Sequence, residues 1–133
     1  MWGFSSWEGT SEGDTFVWAQ SRTARLTLDV DPDGRDLLVR FRAMPMRFPE
    51  APPQTLTLFV NDAKTGAVTL EDGMRVHAIL TPGAAWRRGT NELRLEFAYA
   101  EAPKDRIPGG ADPRTLAAAF DWLEALPVSP PPK

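Results

Sequence analysis

The strictest constraint on this chain is a two-residue rhythm at its centre. Gln54-Thr-Leu-Thr-Leu-Phe-Val-Asn61 alternates apolar with small polar residues, and Glu92-Leu-Arg-Leu-Glu-Phe-Ala-Tyr99 does so again after Gly89-Thr-Asn91. Successive side chains of a strand point to opposite faces, so each run reads as a strand with one buried and one wet face. Other segments follow the same rhythm. Thr15 to Ala19 is a short β-prone run, and Arg22 to Val30 puts Ala24, Leu26, Leu28 and Val30 on one face. Asp36 to Ala43 buries Leu37, Val39 and Phe41, and a turn at Asp31-Pro-Asp-Gly34 joins the two longer runs, which predicts an antiparallel pair between them.

Proline and glycine punctuate the rest. Pro45, Pro49, Pro52 and Pro53 exclude a central strand from 44–53, which is therefore a connection crossing between sheets. A turn over 62–66 leads into a short strand at 67–70, Asp72-Gly73 turns again, and 74–80 returns as a strand. Residues 81–89 read as a loop and 101–113 as a second long irregular connection. Thr115 to Leu126 is ambiguous. Its alanines and the spacing of Leu116, Phe120 and Leu123 favour a helix, whereas Leu116, Ala118, Phe120 and Trp122 alternate as in a buried strand.

At 133 residues with 42% apolar and 25% charged residues, the chain has the composition of one globular domain. Fifteen basic against eighteen acidic residues give a net charge of −3, so no general attraction to nucleic acid is expected. The absence of cysteine excludes disulfides and thiolate chemistry without fixing a redox compartment. Nowhere do eighteen apolar residues run together, and no direct membrane insertion is expected. The domain is assigned to 1–126, with 127–133 a proline-rich extended tail.

Several short strands between Gly and Pro turns predict an antiparallel sandwich. Leu58-Phe-Val-Asn61, a strand ending near Leu80-Thr-Pro82, and Gly89-x-Asn91-x-Leu-x-Leu-x-Phe97 together resemble galactose-binding-domain-like jelly rolls, including the sugar-binding domain of family-two glycoside hydrolases. The wider frame is similar to accessory jelly rolls of bacterial membrane glycosyltransferases and sulfatase-like proteins. It comprises Gly3-Phe-Ser-Ser-Trp-Glu8, Trp18-Ala19, Ala102-Pro103 and Asp112-Pro-Arg114-x-Leu116. The resemblance implies an all-β, single antiparallel jelly-roll β-sandwich of about eight strands, with 115–126 mainly strand. It further implies a non-catalytic accessory module, extracytoplasmic in location, that binds a carbohydrate ligand or docks against a neighbouring enzyme domain. Alternatives are a structural protein interaction domain without sugar binding, or a small carboxylate-dependent glycosidase-like hydrolase.

Candidate chemistry is sparse. Asp29, Asp31 and Asp33 have the opening spacing of a calcium loop, but Arg40 stands where the closing glutamate is needed, so a hairpin turn is preferred and no metal or cofactor is expected. His77 has no second histidine, serine or cysteine beside it to form a nucleophile and base pair, and is read as a surface or satisfied polar residue. Glu92 and Glu96, with Arg94 between them, are read as cross-strand charge partners before a hydrolytic pair. Asp112 and Arg114 match the Asp-x-Arg of the resembled modules and are read as structural, and Asn61 and Asn91 as turn formers. Trp18, Trp122, Phe41, Phe97 and Phe120 are assigned to the core, and Trp2 and Trp7 to a cover over one end or a second exposed patch. Trp86, in a loop beside Arg87 and Arg88, is the expected contact: its ring could stack on a sugar or on another protein, and the guanidinium groups could bind carboxylate or sulfate.

Overall fold

The computed structural model describes Phe4, the backbone of Glu8, Gly9 and Thr15, and residues 16–128. Trp2, Trp7 and 129–133 lie outside the described residues. Alternating sequence becomes two antiparallel sheets. One has the order β1 (Glu8–Gly9), β2 (Thr15–Ala19), β9 (Ala118–Pro127), β4 (Leu37–Pro45), β7 (Arg75–Thr81). The other runs β3 (Thr23–Val30), β8 (Gly89–Phe97), β5 (Gln54–Val60), β6 (Ala63–Leu70). The described residues thus hold nine strands, one of them only two residues long, in a jelly-roll β-sandwich.

The core lies between the sheets. β4 and β5 bury every second residue, which brings Leu37, Val39 and Phe41 against Leu56, Leu58 and Val60, with Leu93, Leu95 and Phe97 of β8 alongside. These nine side chains are almost fully excluded from water, as their spacing requires. Leu26 and Leu28 face the same interior but stay half-buried, because β3 is an edge strand at a flank where the sandwich stands open.

The expected pairing of 22–30 with 36–43 is corrected. β3 pairs with β8, and β4 pairs with β7 and β9 in the opposite sheet. Six residues, 31–36, separate the two strands, too many for a tight hairpin, and the segment crosses from one sheet to the other. The wet face of β3 also finds its match on β8, where Arg25 meets Glu92 at 3.7 Å and Thr90 Oγ1 donates to Asp29 Oδ1 at 2.7 Å. The turn placed at 62–66 is likewise corrected. Asn61 and Asp62 alone make a two-residue turn, both with positive φ (49° and 69°), and β6 begins at Ala63.

The 115–126 segment is mainly strand, as the resemblance implies: β9 begins at Ala118, after an isolated bridge at Leu116, and runs through Pro127, where Val128 N still donates to the Asp36 carbonyl. β9 therefore takes up the first residue assigned to the tail. Central placement between β2 and β4 explains why helix propensity loses here: Ala117 and Ala118 are wholly buried in the core between the two sheets. The connection 101–113 holds one helical turn, Pro103–Arg106, tied back by Lys104 N to the Asp112 carbonyl at 3.0 Å.

Candidate functional site

The loop expected to make contacts is instead a plug. Pro82 leads into a 3-10 turn at Gly83–Ala85, and a Cβ on Gly83 would sit 2.6 Å from the Arg35 carbonyl oxygen, so only glycine lets the loop lie this close to the 31–36 crossing. Trp86 then turns inward. It is 6% exposed, and its Nε1 donates to Thr81 Oγ1 at 2.7 Å. An indole held this way offers no face to a ligand, so the expectation of a stacking Trp86 is corrected: burial of a large aromatic with a satisfied N–H outweighs exposure in a loop. Arg87 and Arg88 do remain on the surface, Arg88 lying 3.5 Å from Asp31.

Two asparagines fix the plug. Asn91 is fully buried, accepts from Arg87 N at 2.8 Å and donates to the carbonyls of Arg87 and Gly89, both at 2.9 Å. Asn61 donates to Asn91 Oδ1 at 2.8 Å and to the Ala85 carbonyl at 3.1 Å. Asn61 stands in a turn, as read from sequence, whereas Asn91 lies within β8 and holds the loop through its side chain.

His77, expected to be a surface or satisfied polar residue, is neither. It faces inward from β7, 8% exposed, with its ring stacked on Phe41 at 5.7 Å, and Nε2 is buried without a hydrogen-bond partner among the described residues. Burial lowers its pKa below the ordinary imidazole value, opposed by nearby Glu71 and aided by Arg75. The phase of β7 explains the error. Thr81 must point inward to meet Trp86 and to donate to the Leu37 carbonyl, which carries Ile79 and His77 inward too and leaves Val76 and Leu80 in water.

The remaining sequence candidates are structural pairs. Arg94 Nε contacts Glu96 at 3.2 Å, and its guanidinium lies 4.2 Å from the Phe59 ring centroid. Arg114 grips Asp112 through Nε and Nη2, the latter at 2.8 Å, and this guanidinium holds the Asp112 carboxyl below its usual range. Among the described residues no group of three or more His, Cys, Asp or Glu side chains could hold a metal ion, and no helix is long and apolar enough to cross a membrane.

What sequence reasoning missed is the outer face of the five-stranded sheet. The β4–β9 register shifts at Arg42/Ala43: Arg42 pairs with Trp122 and Ala43 with Phe120, leaving Asp121 as an extra residue. This bulge switches the inward positions of β9 from Ala118 and Phe120 to Leu123 and Ala125, so Trp122 faces outward and is corrected from its core assignment. Trp18 also lies on this face and is half-buried.

Around Trp122 the bulge gathers charge. Arg42 Nη1 donates to Asp121 Oδ2 at 2.8 Å, Arg40 Nε donates to Glu124 Oε1 at 2.9 Å, and the Arg40 guanidinium carbon is 5.8 Å from the indole centroid. Beside this group a cavity of about 370 Å³ opens where the β2–β9 pairing stops at Val17–Phe120, walled by Val17, Leu26, Leu28, Phe120 and Leu123 with Asp121 and Trp122 among its lining. Further along the face, Leu38 stands in register between Leu80 and Leu126. Leu80 is 56% and Leu126 41% exposed, forming an aliphatic row across three strands.

No protein-family model and no curated protein matches the chain. Solved structures do. The C-terminal CBM6 of LamC, a marine laminarinase from Zobellia galactanivorans, superposes with a TM-score of 0.59 at 10% identity, over 93% of this chain and 88% of that one. A carbohydrate-binding module from Cellvibrio mixtus lichenase 5A, in complex with cellotriose, gives 0.53 at 10% identity over 96% and 88%. The cycloalternan-forming enzyme of Listeria monocytogenes, in complex with a pentasaccharide substrate, gives 0.56 at 15% identity over 92% of this chain but only 11% of that enzyme's length. At these identities the likeness is one of fold: the chain is built as the jelly roll found in carbohydrate-binding modules.

Proposed function

We propose that this chain is a non-catalytic accessory module that binds glycan through the outer face of its five-stranded sheet, with Trp122 as the stacking platform. The observation that carries the reading is the half-buried indole on the rigid strand β9 with two arginine–carboxylate pairs beside it. A pyranose ring has an apolar face that stacks on an aromatic plane and a rim of hydroxyls that both donate and accept. The face supplies both kinds of partner. Support also comes from the fold, shared with a carbohydrate-binding module that holds cellotriose. Electrophoresis of the native protein through gels containing neutral polysaccharides tests the reading. Retardation lost in Trp122→Ala, with an unchanged circular dichroism spectrum, supports it, and no retardation in any gel contradicts it.

A second reading, docking against a neighbouring enzyme domain, is favoured by one distinct observation. Val76, Leu80 and Leu126, three of the four large hydrophobic residues exposed among those described, lie on this same outer face, and the fourth, Val128, directly follows β9. A contiguous aliphatic row of this kind marks contact with another protein surface more than with a sugar.

A further inference from the structure

We infer that the Trp122 face takes uncharged glycans and rejects polyanionic ones such as uronates and sulfated chains. The inference rests on the glycan reading above and adds the class of ligand. Both cations next to the indole, Arg40 and Arg42, lie on β4, and each is matched by a carboxylate on β9, Glu124 and Asp121.

Of the two pairs, Arg42–Asp121 is the harder to displace. The Arg42–Asp121 side chains are 28% and 27% exposed, so removing either partner's counter-charge leaves the other partly desolvated. A ligand carboxylate or sulfate seeking a bidentate guanidinium would have to break such a pair. Its charge would then lie beside the freed carboxylate of Asp121 or Glu124, and like charges juxtaposed at an interface are strongly unfavourable. A hydroxyl meets no such conflict. Each intact pair still offers guanidinium N–H donors and carboxylate acceptors, which suits a group that donates one hydrogen bond and accepts others. The chain's net charge of −3 adds a weak long-range term of the same sign against polyanions.

The bulge is the device that achieves this. With Asp121 the extra residue between Trp122 and Phe120 in the β9 register, consecutive residues provide both the counter-ion for Arg42 and the stacking ring. A regular strand would point those two side chains to opposite faces.

The test uses the native chain in low-salt affinity gels containing β-glucan, xylan, galactomannan or polygalacturonate, with the Asp121→Asn/Glu124→Gln double variant alongside. Wild-type protein should be retarded by at least one neutral polymer, with binding to polygalacturonate weaker by about tenfold or more. The double variant, its guanidinium groups released, should gain polygalacturonate binding that added salt removes. Retardation of wild type by polygalacturonate as strong as by any neutral polymer would overturn the inference while leaving the glycan reading standing. Retardation by none of the four would sink both. Should the double variant misfold, Glu124→Gln alone replaces it: polygalacturonate binding gained over wild type and removed by added salt agrees with the inference, and polygalacturonate binding no stronger than that of wild type contradicts it.

Discussion

Asn61 Nδ2 donates to Asn91 Oδ1 across 2.8 Å, joining the hairpin turn at the end of β5 to the start of β8. Through that bond the β5–β6 turn, the Trp86 loop and the first residues of β8 become one unit, since Asn91 holds both Arg87 and Gly89 and Asn61 holds Ala85. Asn91→Ala would leave several buried backbone groups without partners, at about 1–3 kcal/mol for each that water cannot reach. The expected outcome is a urea midpoint lowered by a few kcal/mol equivalent, with an unchanged m-value.

Trp86→Ala should act on stability. Emptying a site that is 6% exposed is expected to destabilise the fold by about 3–5 kcal/mol, and Trp86→Phe by less, since it keeps most of the packing and loses the bond to Thr81. Chemical denaturation measures both. Unchanged stability in Trp86→Ala would mean that the loop does not anchor the core.

The alternating runs made most of this fold legible, because a period of two fixes which residues face inward wherever one face is buried. Leu56, Leu58, Val60, Leu93, Leu95 and Phe97 lie where that rhythm puts them. Partners were not legible. Nearness in sequence points β3 to β4, whereas β3 pairs with β8 along its whole length, from Thr23↔Glu96 to Val30↔Gly89. The candidate site was hidden for a related reason. A one-residue bulge at Asp121 reverses the phase of β9, and nothing in Phe120-Asp-Trp-Leu123 announces it except the acidic residue interrupting an apolar run.

His77 gives the fold a pH dependence with a definite sign. Its folded pKa lies below the unfolded value of 6.5, so the unfolded chain binds more protons in the window between the two. Its contribution is present above pH 6.5 and is lost as pH falls from there through the folded pKa. Thermal melting between pH 8 and pH 5 should show this loss, and His77→Phe should flatten the acid-side slope, because neutral aromatic packing against Phe41 remains.

Leu80→Lys and Leu126→Lys separate the fold from its outer face. Both residues are well exposed, so the double variant should keep the wild-type urea midpoint to within about 0.5 kcal/mol. A larger loss would show that the row is covered within the chain itself. Retained glycan binding in this variant would assign the row to docking and the Trp122 group to sugar.

On the proposed reading Trp122, and not Trp86, meets the ligand. The most direct test is a titration of neutral oligosaccharides into isotopically labelled protein, following the assigned indole and backbone N–H signals. Shifts should centre on the Trp122 indole and on Arg40, Arg42 and Asp121, leaving the Trp86 indole in place. Shifts concentrated on the 83–89 loop, or none at millimolar sugar, would contradict it.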